Sequence, residues 1–359
     1  MPDNVDAIRW MIEEVDNEIL NLIGKRMRLA KQMGQHKKGK GMPVRNIRVE
    51  DQVIARFVSR AKEADISEAA AQKIASILIR ESVDSQFRIP REVEAKRITV
   101  VGGSGKMGRW FCNFFDSRGH KIMVNDIVSS TKFPFENDLK RSVSQADVIV
   151  VATPISASAE MMARVLALRP KGLVFDVASI KEPIIPMVRK AAAKGVKVCS
   201  VHPMFGPDTT TLLEKNILIC DCGSKAAVSE ARAMLEGSGA NLTEVQVEEH
   251  DRLMSYVLGV SHAVNIAFFT SLVKSGFPFE QLKRASSTTF HHQHCTSHRV
   301  ADENPDLYYE IQHLNPHTKE ALDLLVQSIE EIRAAAMAEE SDEFVKIMEK
   351  GREYYGGME

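Results

Sequence analysis

The stretch Arg97-Ile-Thr-Val-Val-Gly-Gly-Ser-Gly-Lys-Met-Gly108 decides how the chain is read. Ile98 to Val101 is a β-branched run, the pattern of a short buried strand. Gly103, Gly105 and Gly108 then form G-x-G-x-x-G, with Lys106 and Met107 between the last two glycines. Arg109 to Phe115 continues as a helix, with Trp110, Phe111 and Phe114 at helical spacing. Strand, glycine turn and helix in this order are the context the motif needs to bind a dinucleotide. The first glycine permits a tight turn, the second lets a pyrophosphate approach the backbone, and the third lets helix and strand pack closely. The helix N-terminus supplies unpaired N–H groups and a partial positive charge. A second strand, 121–125, ends at Asp126, which lies 18 residues past Gly108. A carboxylate at about that distance bonds the ribose hydroxyls. It would repel a 2′-phosphate, so the motif predicts NAD over NADP.

Outward from this stretch, the totals set bounds. The 359 residues suffice for two or three domains. With 44% hydrophobic and 26% charged residues and a formal net charge of −1, the composition is that of a globular protein. It makes no case for nucleic acid or an acidic membrane as partner. No uninterrupted apolar run reaches about 18 residues, so no membrane span is expected. The polar N-terminus does not read as a signal peptide. Cys112, Cys199, Cys220, Cys222 and Cys295 are odd in number and scattered, which predicts a reduced, cytoplasmic setting. His291, His292, His294 and His298 cluster around Cys295, but no H-E-x-x-H or paired-Cys pattern accompanies them, and no metal site is expected.

Upstream, residues 3–35 carry apolar side chains at spacings of three and four, from Ile8, Ile12, Val15 and Ile19 to Met33. Asp3 or Asn4 is the expected cap. Helices are expected again at 47–64 and from the Ser67 cap to Phe87, with Pro90 as the stop and 91–96 as a charged linker. The first helix is too long for the other two to cover and is expected to pack against a second copy. Downstream, strands are expected at 147–152, 173–177, 196–201 and 217–220, alternating with helices as in an α/β fold. Thr153 and Pro154 follow the first of these, at the sheet end where such folds bind ligands. Ser179 follows the second. His202-Pro-Met-Phe-Gly-Pro207 follows the third, and a histidine there can act as acid or base. From Glu248 onward the pattern is helical, with a last amphipathic helix at 342–355.

Residues 1–90 resemble the all-helical chorismate mutase family. The resemblance rests on the ordered set Arg9, Arg26, Lys37, Glu50, Ser82 and Gln86, and on the loop 42–47. It implies that Arg9 reaches into the partner protomer's site and that Arg26 and Lys37 bind the substrate's carboxylates. It makes Lys37 and Gln86 donors to the ether oxygen, with Glu50 and Ser82 in the pocket. Two positions depart from the pattern: Asn46 stands where an Asp is usual, and Val49 where a further Arg is common. Residues 97–355 resemble the prephenate dehydrogenase family, through the glycine loop and the His-Pro-Met-Phe-Gly-Pro run. There His202 implies the proton acceptor, Ser179 a partner bonded to that histidine and to the substrate hydroxyl, His262 a substrate contact, and Arg299 the grip on a carboxylate. Where the family often has an arginine, this chain has His291.

Together these resemblances imply three domains: a helical mutase domain at 1–92, a Rossmann-type α/β domain at 97–246 and an all-helical dimerisation and substrate domain at 247–356. The expected function is a homodimeric, bifunctional enzyme of tyrosine biosynthesis that takes chorismate to prephenate and prephenate to 4-hydroxyphenylpyruvate with NAD. Alternatives are a prephenate or arogenate dehydrogenase whose front helices only dimerise, and a non-catalytic sensor of NAD or tyrosine. Feedback by tyrosine is left open.

Overall fold

The structure is a computed structural model, and it describes residues 5–89, 94–129 and 132–356. The expected caps Asp3 and Asn4, the Pro90 stop and the linker residues 91–93 lie outside them. Three helices open the chain: α1 (Val5–Gly39), α2 (Ile47–Ala61) and α3 (Glu68–Phe87). Asn46 caps α2 by accepting from Val49 N at 3.3 Å, so the amide still does the capping work of the usual acid. Ser67 caps α3, accepting from Ala70 N at 3.2 Å. Gly34 lets α1 approach α3: a Cβ there would lie 2.5 Å from Ile89 Cδ1 and 2.7 Å from Gln86 Cγ. Toward its N-terminal end α1 is left largely uncovered among the described residues. Ile8, Ile12, Val15 and Ile19 remain 48–56% exposed. Full burial of each such side chain is worth about 1.5–3 kcal/mol.

The middle of the chain alternates as expected: β1 (Arg97–Val101), α4 (Lys106–Asp116), β2 (Lys121–Asn125), α5 (Leu139–Ser144), β3 (Val148–Val151), α6 (Ile155–Ala167), β4 (Leu173–Asp176), α7 (Ile185–Ala193), β5 (Val198–Pro203), β6 (Asn216–Asp221), α8 (Lys225–Leu235) and β7 (Asn241–Gln246). The sheet order is β2-β1-β3-β4-β5-β6-β7. Strands β2 to β5 are parallel, while β6 runs antiparallel to β5 and parallel to β7. Alternate side chains feed two cores. Ile98, Val100, Phe111, Phe115 and Phe175 fill one face. Val101, Ile149, Met162, Val174 and Val188 fill the other. Two features differ from the sequence expectation. Strand β7 was not anticipated, because only Leu242 and Val245 are apolar in this outer strand and both are only half-buried. Strand β5 runs on to Pro203, so His202 lies inside it rather than beyond it; pairing of Pro203 with Ile217 of β6 prolongs the strand.

The remainder is helical: α9 (Val247–Met254), a π-helical stretch Ser255–Val260, α10 (Ser261–Lys274), α11 (Phe279–Arg284), α12 (Thr288–Ala301), α13 (Pro305–His313), α14 (Thr318–Met337) and α15 (Asp342–Tyr355). Ile155, Ala178 and Ile180 from the α/β region pack with Ile311 of α13. By length and composition alone the continuous rod Val247–Lys274 is long and apolar enough to cross a membrane, a test that the helix of a globular protein also passes. Ser255, Ser261, His262 and Asn265 interrupt its apolar run. The π stretch loosens the regular helical ladder. One of its carbonyls, that of Gly259, accepts from Gln312 Nε2 at 2.9 Å.

Candidate active sites

At the end of β1 the chain turns through Gly102, which has φ +80°. A Cβ on Gly102 would lie 2.6 Å from Ala152 O, and one on Gly108 would lie 2.1 Å from Gly102 O. No side chain fits at either place, so the loop keeps bare backbone where a pyrophosphate must approach. Gly105 caps α4, and Lys106 and Met107 form its first turn. Asp126 folds its carboxylate over this loop, accepting from Ser104 N at 2.9 Å and Ile127 N at 2.7 Å. Across the crevice Pro154 caps α6. Among the described residues, the buried Thr153 Oγ1 has no hydrogen-bond partner. A glycine cradle, a carboxylate beside it and an orphaned hydroxyl opposite fit a dinucleotide. Gly102 escaped the sequence reading, although the Gly102-Gly103 pair is its signal.

His202 is 3% exposed. Its Nδ1 lies 2.9 Å from His250 Nε2, and His250 Nδ1 lies 2.6 Å from Asp251 Oδ1. The proton positions follow from this chain of contacts. A carboxylate accepts only, so His250 Nδ1 must donate to Asp251. Neutral His250 then presents a lone pair at Nε2, and His202 Nδ1 must donate to it. The lone pair of His202 is thereby assigned to Nε2, which makes no hydrogen bond among the described residues. Burial, then the His250 ring and Lys181, push the His202 pKa well below its ordinary value, so the imidazole stays neutral with its lone pair at Nε2. Asp251 is fixed in turn by Lys181 N at 2.9 and 3.0 Å and by Glu182 N at 2.7 Å. Lys181, fully buried, bonds Asp176 Oδ2 at 2.8 Å, Ala178 O at 2.6 Å and Val201 O at 3.0 Å. It thus clamps the ends of β4 and β5 together. None of His250, Asp251 and Lys181 was singled out from sequence. Ser179 is half-buried beyond the end of β4. Among the described residues no hydrogen bond joins it to His202, whose Nδ1 faces His250.

His262, on α10, stacks on Tyr308 of α13 with ring centroids 4.1 Å apart. Burial lowers its pKa to about 4, and among the described residues its buried Nδ1 has no partner. Arg299, on α12, is exposed and makes no ion pair among the described residues. Its guanidinium is free to take a carboxylate.

In the front helices a cavity of about 110 Å³ is lined by Arg26, Lys37, Glu50, Ser82 and Gln86. Five of the six residues marked from sequence are therefore brought together, with Val49 and Asn46 on the same wall. Arg26 bonds Ser82 Oγ and Leu78 O, and Lys37 Nζ donates to Val44 O at 2.5 Å. Gln86 Nε2 donates to Ser82 O at 3.2 Å, leaving its Oε1 buried without a partner among the described residues. Arg45, missed in the sequence, grips Glu50 at 3.1 and 2.9 Å and holds its carboxyl below the usual range. The sixth residue, Arg9, lies outside the cavity, exposed and paired with Asp6 at 3.2 Å.

Comparison with known proteins bears on both sites. Residues 8–87 match the family model for chorismate mutase type II. Residues 128–244 match the prephenate dehydrogenase nucleotide-binding domain, and residues 246–350 the prephenate dehydrogenase dimerization domain. The second match begins past the glycine loop. A chorismate mutase of Methanocaldococcus jannaschii is 32% identical over 96 residues, which span 27% of this chain and 97% of that protein. A T-protein of Enterobacter agglomerans is 27% identical across 87% of this chain and 82% of its own length. A probable arogenate/prephenate dehydrogenase of M. jannaschii is 25% identical over 72% of this chain, which spans only 61% of that relative. The solved prephenate dehydrogenase of A. aeolicus, in complex with hydroxyphenyl propionate and NAD+, shares the fold with a TM-score of 0.58 at 19% identity, covering 74% of this chain and 99% of that one. The chain belongs to the chorismate mutase type II family in its N-terminal helices and to the prephenate dehydrogenase family in the nucleotide-binding and dimerization regions that follow.

Proposed function

We propose that the chain catalyses two consecutive steps of tyrosine biosynthesis, chorismate to prephenate at the helical cavity and prephenate to 4-hydroxyphenylpyruvate at the sheet end. The observation that carries this reading is that two separate polar sites are built in one chain, each from residues suited to its step. We divide the chain at 1–92, 97–246 and 247–356 accordingly.

The first step is an intramolecular rearrangement, so the protein must hold a compact conformer and stabilise charge growing on the ether oxygen. Arg26 and Lys37 supply fixed positive charge for a dianion. Lys37 donates to the ether oxygen once it releases Val44 O. Gln86 joins it when its Nε2 leaves Ser82 O. Glu50, kept ionised by Arg45, would repel a substrate carboxylate, so it accepts from the ring hydroxyl instead. Arg9 is left to complete the site of a second copy.

In the second step NAD, held by Gly103, Gly105, Gly108, Lys106, Met107, Asp126, Thr153 and Pro154, supplies the hydride acceptor. His202 Nε2 takes the proton of the ring hydroxyl as the hydride leaves the same carbon. Loss of the ring carboxylate as CO2 then makes the ring aromatic. Asp251 and His250 hold His202 in the tautomer this needs. Ser179 orients the hydroxyl, His262 contacts the side chain, and Arg299 grips a carboxylate with two parallel bonds. Tyrosine shares the product's ring and carboxylate, and is the natural feedback ligand for that pocket. Five free cysteines fit a cytoplasmic setting. The test is to follow formation of NADH or NADPH from prephenate and from arogenate with NAD or NADP. Prephenate with NAD is the expected pair, and no NADH from either substrate would refute the reading.

A further inference from the structure

On α12, one turn before Arg299, one ring nitrogen each of His291 and His294 and the Cys295 Sγ lie within 4.8 Å of one another. We propose that these three side chains form a binding site for a zinc-class divalent transition metal, with a fourth position open to water. This revises the expectation, drawn from motif spacing alone, that the chain has no metal site.

The chemistry of the donors points to the ligand class. Two imidazoles and one thiolate suit zinc and its neighbours in the first transition row, whereas magnesium and calcium require oxygen. Three protein ligands with one open position match the coordination count of zinc sites that keep a water. Helix geometry supplies the convergence. Positions 291, 294 and 295 are i, i+3 and i+4, which share one face. The side chains already meet there: Cys295 Sγ lies 3.9 Å from His291 Nε2, and the His291 and His294 rings are 5.2 Å apart. A metal ion would draw the three donor atoms closer by rotation about side-chain bonds. Packing orients one ligand in advance, because His294 is held edge-on against Phe279, 5.5 Å between centroids. Among the described residues the buried His294 Nε2 has no hydrogen-bond partner. Of the five cysteines, Cys112, Cys199, Cys220 and Cys222 are buried and only Cys295 is partly open. A thiolate bond to an added metal therefore reports this site. The cation would share a helix face with Arg299, four residues after Cys295, beside the proposed carboxylate grip.

Cobalt(II) added to the full chain, after treatment with a chelator, tests the proposal. The expected result is one equivalent bound, a thiolate-to-cobalt charge-transfer band and the strong visible bands of four-coordinate cobalt, all displaced by zinc. Cys295→Ser should abolish the charge-transfer band, and His291→Ala should weaken binding by more than the about 10- to 100-fold that loss of an outer partner costs. His291 is exposed and Cys295 only half-buried, so neither change removes core packing. Cobalt spectra without a thiolate band, or with a band that survives Cys295→Ser, would overturn the proposal. So would His291→Ala binding as tightly as the unaltered chain.

Discussion

The helical cavity at Lys37 and the sheet-end site at His202 handle charge in opposite ways. In the first, long cations stand half-open and rest on backbone carbonyls and a serine hydroxyl until a substrate takes their place. In the second, a buried lysine, two aspartates and two histidines are bonded to one another with almost no water access. Moving charge on a dianion needs adaptable cations. Moving one proton needs a base whose tautomer and neutrality are already set. The difference also divides risk: a substitution in the cavity costs mainly activity, whereas one in the buried network costs fold as well.

The largest expected effect that sharpens this contrast is His202→Asn. Loss of a general base typically lowers the rate about 10²–10⁴-fold, so kcat for prephenate oxidation should fall that far while mutase kcat is unchanged. Next comes Lys181→Met, which leaves Asp176 buried without its partner. Breaking a buried pair costs about 3–5 kcal/mol, to be read as a lowered denaturation midpoint of the α/β region. A smaller effect is expected for Asp251→Asn, which should reduce kcat less than His202→Asn does and should shift the pH profile. If that profile does not move, the His202–His250–Asp251 chain does not set the tautomer.

The pH dependence itself separates the two sites. His202 must be neutral to accept a proton, and its folded pKa is pushed well below the ordinary 6.5. Activity is therefore lost only as pH falls through that lowered value, so dehydrogenase kcat should stay flat across neutrality. An acid limb at or above about 6.5 would contradict the burial argument. The smallest effect belongs to the exposed pair Arg97–Asp147 at the far end of β1. Asp147 is held down to about 2 by Arg97. Its stabilising contribution is present above the ordinary carboxylate value and vanishes as pH falls through about 2. Exposed pairs contribute little, so Arg97→Gln should leave the denaturation midpoint at neutral pH almost unchanged.

The same contrast explains what could be read in the chain. Arg26, Lys37, Glu50, Ser82 and Gln86 were legible only through the family resemblance, and the fold brings these five to one cavity. The glycine loop and Asp126 were legible because their order along one strand-turn-helix unit is local. His250 and Asp251 were passed over as a helix opening, since their partner His202 lies 48 residues away and only the sheet brings them together. Lys181 carries no local signal, because its three acceptors come from two neighbouring strand ends. Arg45 needed the folded 42–47 loop to find Glu50. The resemblance named Ser179 as a neighbour of His202 but not His250, which lies on Nδ1.

The claim that one chain carries two separable sites in series is tested most directly by giving chorismate and NAD to the unaltered protein and to Lys37→Ala, and following NADH. The unaltered protein should form NADH from chorismate. Lys37→Ala should form none from chorismate yet oxidise added prephenate at the unaltered rate. NADH from chorismate at the normal rate in Lys37→Ala, or loss of prephenate oxidation in that variant, would contradict the account.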